Sequence, residues 1–302
     1  MRSSPHGRGG NQMRCYLYCS LLLLTIEVSA AAQPTITLLT LPGNADGAAR
    51  AINNAGQIAG YYNPVGQHSH GFIYDLNLQT YVTLRPPGPP RTINALGVQG
   101  INDAGFAVGF LIRQGSFIQH GFLRDTSGNY TNIMYPNQPG SQSASGINNL
   151  NDIVGSYAIQ GGANYNGYLL HQGVFSTINY PGAVTTFPGG INDAGTIAGY
   201  WFDSSSIDHG FTLQNGTYTE ITIPGATRVE VLSINNLGDL VGNYTDSAGV
   251  PHGFLLKQGV VENIDCIGTG EVTTVWGVND SDVFVGECSP VGSLPQAFYG
   301  TP

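Results

Sequence analysis

One pattern recurs six times along this chain, and a unit repeated at near-constant spacing leaves few folds open. The segment from Gly190 to Phe211, GINDAGTIAGYWFDSSSIDHGF, shows it in full. An apolar residue precedes an Asn, a short turn follows, an apolar run closes on Gly, and a variable loop leads to a polar, a small and an aromatic residue. The repeated Asn is Asn53, Asn102, Asn148, Asn192, Asn235 and Asn279, at separations of 49, 46, 44, 43 and 44 residues. The second motif follows each Asn by 17 or 18 residues, as His70-Gly71-Phe72, His120-Gly121-Phe122, Asn166-Gly167-Tyr168, His209-Gly210-Phe211, His252-Gly253-Phe254 and Gln296-Ala297-Phe298. A fixed offset with variable spacers is one supersecondary unit repeated, its insertions confined to loops.

Each unit divides into four short strands. The first ends at the apolar-Asn pair, the second spans runs such as Thr196 to Tyr200, and Asn192-Asp193-Ala194-Gly195 supplies the turn between them. The third covers His209 to Leu213 and the fourth Thr217 to Ile223, with Asn215-Gly216 as a hairpin turn. Pro224-Gly225 then ends the ladder. Four antiparallel strands in about 44 residues are the dimensions of a propeller blade. The chain stops just after the third strand of unit six, while Thr35 to Leu41 is an orphan strand at the other end. Pairing the two predicts an all-β, single six-bladed β-propeller closed by the N-terminal strand in the last blade. Small residues precede every apolar-Asn pair (Ala51, Gly100, Gly146, Gly190, Ser233, Gly277), as strands crowded around an axis require.

The first 32 residues read as a cleaved signal peptide, leaving 33–302 as the propeller. Arg2, Arg8 and Arg14 precede an apolar core around Leu21 to Ile26, and Ser29-Ala30-Ala31-Ala32 offers small residues for cleavage. As a membrane anchor the run from Cys15 to Ala32 is marginal in length and broken by Ser20 and Glu27. The mature chain is expected to be secreted, extracellular or periplasmic, with no membrane insertion. Formal charge is -9 with only one Lys, Lys257, and loss of three Arg and one Glu with the signal makes it more acidic. That balance argues against a nucleic-acid partner.

The recurring IN-(N/D)-x-G-x-(I/V)-x-G-x-Y followed by HGF, with segments such as Tyr180-Pro181-Gly182-Ala183, resembles the HAF-repeat family of bacterial probable extracellular proteins. The likeness covers about residues 36 to 302. Asn166 and Gln296 replace the motif His, and Ala297 replaces its Gly. The resemblance implies export and a repeat fold, and it carries over no catalytic residue.

The motif His70, His120, His209 and His252 read as strand-tying hydrogen-bonding groups, since Asn and Gln fill the same place elsewhere and separate blades would hold ligands too far apart for a metal. The six Asn read as turn caps. Neither a metal nor a cofactor is expected. Cys266 and Cys288 fall on one face beside the closing blade and are a candidate disulfide for an exported chain.

Function is then sought in the loops between strands two and three and between blades, which share one face. That face carries Tyr61, Tyr62, Tyr157, Tyr165, Tyr200 and Tyr244, with Asp208 and Glu287. Tyr157, Tyr200 and Tyr244 read mainly as packing between blades. Trp201, Phe202, Asp203, Tyr244 and Asp246 are the candidate ligand-binding residues, because neighbours in an extended chain face opposite ways and packing does not absorb Tyr200, Trp201 and Phe202 together. Three functions are open: a non-catalytic binding module for glycan or protein, a glycan-cleaving enzyme drawing on Glu230, Glu271 or Glu287, and a structural matrix protein.

Overall fold

The computed structural model describes residues 34–86, 93–159, 164–266, 272–289 and 294–302. The expected signal segment and Glu271 lie outside them. Six four-stranded antiparallel sheets form the blades of a β-propeller. Blade 1 is Asp46–Ile52, Gln57–Asn63, His70–Asp75 and Thr80–Leu84. Blade 4 is Thr185–Ile191, Ile197–Phe202, Asp208–Gln214 and Thr217–Ile221. Blade 6 takes Val272–Val278, Phe284–Ser289 and Gln296–Thr301, and its fourth strand is Thr35–Leu38. Thr35 pairs with Thr301 and Leu38 with Phe298, so the ring closes through the N-terminal strand.

The second motif is a packing device. Its aromatic (Phe72, Phe122, Tyr168, Phe211, Phe254, Phe298) is fully buried in every blade. Its Gly lies where a neighbouring strand comes close: a Cβ at Gly210 would sit 2.7 Å from Val231 Cγ2 of the next blade, and one at Gly121 2.6 Å from the Ile133 carbonyl oxygen. Clusters such as Val154, Ile178, Ile191, Ile197 and Phe211 join adjacent blades. Burying a side chain of that size contributes roughly 1.5–3 kcal/mol.

The repeated Asn closes a ring of its own. Each side-chain amide donates to the backbone carbonyl of the Asn in the next blade, from Asn53 to Asn102 at 2.9 Å around to Asn279 and back to Asn53 at 3.1 Å. Each Oδ1 accepts a backbone N–H of its own turn, for example that of Thr196 at 2.9 Å. The turn residue three positions on is left-handed. It is Gly in four blades and Asn151 (φ 62°) or Asp282 (φ 61°) in the others, the types that tolerate that region.

One position beyond the Asn lies a second ring: Asn54, Asp103, Asn149, Asp193, Asn236 and Asp280. Each backbone N–H donates to the side-chain Oδ1 of the next member at 2.8–2.9 Å. Amide and carboxylate alternate, so Asp103 Oδ2 accepts from Asn54 and Asn149 on either side, at 3.0 and 2.9 Å.

Candidate functional site: the central pocket of the variable face

Every innermost strand carries a β-bulge at one place. The register slips between Ala49 and Ala51, Val98 and Gly100, Ala144 and Gly146, Pro188 and Gly190, Val231 and Ser233, and Val275 and Gly277. The residue inside each slip lies three before the repeated Asn: Arg50, Gln99, Ser145, Gly189, Leu232 and Trp276. A bulge takes one residue out of the ladder and re-aims it. All six line one cavity of about 370 Å³ on the propeller axis. Tyr200, Tyr165, Phe187, Gln119 and the hydroxyls of Ser143 and Ser156 complete its wall. Gln119 and Tyr165 open the third strands of their blades, so the cavity faces the loops between strands two and three. Toward the other face the axial space shrinks to about 80 Å³ at the ring of small residues and about 70 Å³ at the Asn/Asp rings.

The small-residue ring sets that narrowing. A Cβ on Gly146 would lie 2.9 Å from Gly190 Cα, and one on Gly277 3.0 Å from Ala51 Cα. Gly189 is fixed similarly, since a side chain there would collide with the Leu232 carbonyl. The other five bulged positions differ in charge, size and polarity within an otherwise repeating frame.

Electrostatically the pocket is lopsided. The Arg50 guanidinium carbon lies 3.5 Å from the Trp276 ring centroid and 5.6 Å from that of Tyr61. Arg50 Nε and Nη1 are shut off from solvent and meet no hydrogen-bond partner among the described residues. Burial lowers the Arg50 pKa, against the partial support of Tyr61 and Glu287. The Trp276 indole N–H donates to Glu287 Oε1 at 3.3 Å. On the opposite wall, desolvation raises the Tyr200 hydroxyl. Glu230, beside it, is also pushed up by burial, although it accepts from Asn243 Nδ2 at 2.9 Å.

The sequence candidates lie elsewhere. Trp201 stacks on Tyr180 and on His209, each at 4.4 Å between centroids, and packs against the core shared by blades 3 and 4. Tyr244 does the same in blade 5, buried and 5.0 Å from the His252 ring. Asp203 and Asp246 cap their loops: Asp203 accepts the N–H groups of Ser205 and Ile207, Asp246 those of Ala248 and Val250. These bonds hold both carboxyls below the usual range. Phe202 packs edge-on to Tyr200 and Phe187, so of the five it comes nearest the pocket. The alternation of Tyr200 and Trp201 is real, but Tyr200 is the one that faces the cavity.

Two of the four motif His residues, His209 and His252, make polar contacts across strands. His209 Nδ1 is 3.2 Å from Glu220 on the fourth strand and its Nε2 is 3.6 Å from Asp203. His252 repeats this with Asp265 at 3.0 Å and Asp246 at 3.6 Å. His70 rests on Tyr62, and His120 stands at the matching point of blade 2. Among the described residues no group of three or more His, Cys, Asp or Glu converges to hold a metal. Cys266 and Cys288 form a disulfide, Cα–Cα 5.9 Å, at the junction of blades 5 and 6. No helix among the described residues is long and apolar enough to cross a membrane.

Sequence reasoning missed the bulged ring, although a signal was present. In six aligned units, the residue before the small one carries six different types. The slip itself leaves no mark in the residue pattern.

No protein-family model matches the chain, and no curated protein matches it in sequence. Among solved structures it is similar to TolB from Acinetobacter baumannii, at TM-score 0.56 and 12% identity over 82% of this chain and 64% of that one. It is similar to virginiamycin B lyase from Staphylococcus aureus, at TM-score 0.52 and 10% identity over 89% and 100% of the two chains. It is also similar to AofleA from Arthrobotrys oligospora, at TM-score 0.51 and 10% identity over 87% and 88%. Likeness at these identities is a likeness of fold, and the chain is a six-bladed β-propeller.

Proposed function

We propose that this chain is an exported, glycan-binding propeller of the HAF-repeat group whose ligand seats in the central pocket of the variable-loop face. The observation that carries the reading is the set of six bulged residues, one per blade, aimed into one cavity and unlike each other. Packing alone would favour equivalent residues at equivalent places. At about 370 Å³ the cavity falls at the lower end of ligand pockets. Aromatic faces beside neutral hydrogen-bonding groups suit a sugar ring. Export is supported by the Arg-flanked apolar N-terminal segment and by the Cys266–Cys288 disulfide.

The test is a glycan array with the mature chain, beside Ser145→Trp, which fills the cavity from a wall position, and Trp201→Phe, which alters only the packing between blades. Binding lost in Ser145→Trp and kept in Trp201→Phe is the expected result. Equal binding by both variants would move the site to the outer loops. A blank array would favour a protein ligand or a structural role. One observation supports a glycan-cleaving reading: Glu230, a carboxyl raised by burial, stands beside the pocket. Release of reducing sugar from a bound glycan would establish that activity.

A further inference from the structure

Arg50 is the one charged residue among the six that the bulges aim inward. Its guanidinium lies against Trp276 at 3.5 Å, and among the described residues it forms no ion pair. Two of its nitrogens are shielded from solvent with nothing to donate to. A buried donor left unmatched is costly, and for a charged group the cost is larger. The aromatic stacking offsets part of that cost and fixes the plane of the fork. Near it, Gln99 Oε1 is likewise shielded and unpartnered. The hydroxyl of Ser145 shares the wall, and those of Ser143 and Ser156 contact each other at 3.3 Å. Glu287, the nearest acid, is occupied by the Trp276 indole N–H rather than by Arg50.

A guanidinium that lines the cavity without an acid partner matches a carboxylate, to which it donates charge-assisted hydrogen bonds. The remaining wall offers hydroxyls, an amide and aromatic faces, which match a hydroxyl-rich ring. Resting on the reading of the pocket as a glycan site, we propose that its ligand is an acidic saccharide whose uronic carboxylate is held by Arg50. Gln99 and the serine hydroxyls then meet the ring hydroxyls.

The test uses the mature chain carrying Trp201→Phe, which leaves Trp276 as its only indole. Trp276 fluorescence is titrated with glucuronate, galacturonate and mannuronate disaccharides and with their carboxyl-reduced counterparts. Affinity for at least one uronate is expected to exceed that for its reduced form by about tenfold or more, the size of a charge-assisted bond. Arg50→Gln should erase that ratio, and Arg50→Lys should keep part of it. Equal binding of acid and reduced sugars by the parent protein overturns the inference without reference to any variant. Binding of neutral sugars alone, lost in Ser145→Trp, would leave the glycan site standing and end the carboxylate role. Binding of neither class would end both.

Discussion

Replacing Asn192 by Ala removes two bonds at once. Its Oδ1 accepts the Thr196 N–H at 2.9 Å, and its Nδ2 donates to the Asn235 carbonyl at 3.2 Å inside the ring of Asn side chains. Asn192 is only 6% exposed, so the Asn235 carbonyl gains little water in exchange. Each buried group left unmatched costs about 1–3 kcal/mol. The half-exposed Thr196 N–H takes the lower end, which puts the loss at about 2–4 kcal/mol. Against a total stability of about 5–15 kcal/mol this is large. With a urea m-value of about 2–3 kcal/mol/M the midpoint should fall by about 1 M.

Asn192→Asp separates the two bonds. A carboxylate keeps the turn acceptor but sets a negative oxygen against the Asn235 carbonyl, so folding favours the protonated acid and raises its pKa. The group then binds more protons folded than unfolded, and its penalty grows as pH rises above the ordinary Asp range. The difference between Asn192→Asp and the parent should be largest near pH 7 and shrink below about pH 4. An Ala variant within about 0.5 kcal/mol of the parent, or a pH-independent Asp difference, would refute the account of the ring.

Two further outcomes follow from other sites. The Cys266–Cys288 bond closes a loop with a sequence separation of 22. The Cys266→Ala/Cys288→Ala chain should lose about 3 kcal/mol, or roughly 6–12 °C of melting temperature, and a reduced parent melting within 1 °C of the oxidised one would contradict this. At Glu230 burial raises the carboxyl pKa, so stability is fully present below the ordinary Glu range and declines as pH climbs through the raised value. Glu230→Gln, which keeps an acceptor for Asn243, should be more stable than the parent at pH 7 and converge with it in acid. Parallel stability curves would show that Glu230 titrates normally.

The fold was legible because its information is periodic. Asn spacing, turn chemistry and the buried aromatic of the second motif recur often enough to be read without structure, and the orphan strand from Thr35 announced the closure. The central pocket was less legible because it lies where the period breaks. Tyr200 and Trp201 were rightly placed on opposite faces, but which face looks down the axis depends on the twist and tilt of blade 4. Trp201 lies against Tyr180, the Tyr of a Tyr-Pro segment from the preceding blade, a contact between units that no single unit displays. Asp203 and Asp246 cap their loops, and since loop capping and ligand binding call on the same carboxylate, residue type alone does not separate the two roles. Arg50 and Trp276 meet across the junction of the first and last blades, 226 residues apart in sequence, and only closure brings them together.

The alternating ring of Asn54, Asp103, Asn149, Asp193, Asn236 and Asp280 imposes arithmetic on how such a chain can change. Strict alternation around a circle closes only for an even number of members. A tandem array gains or loses members by copying or deleting one unit, and here a single such event would leave two carboxylates, or two amides, side by side at the seam. The mismatch could not be moved away, only passed around the circle, as in an odd ring of antiparallel spins. Blades are therefore free to come and go in pairs, or singly with a compensating exchange of Asn and Asp. Parity is written into the turns, independently of the curvature that decides how many sheets fit around the axis.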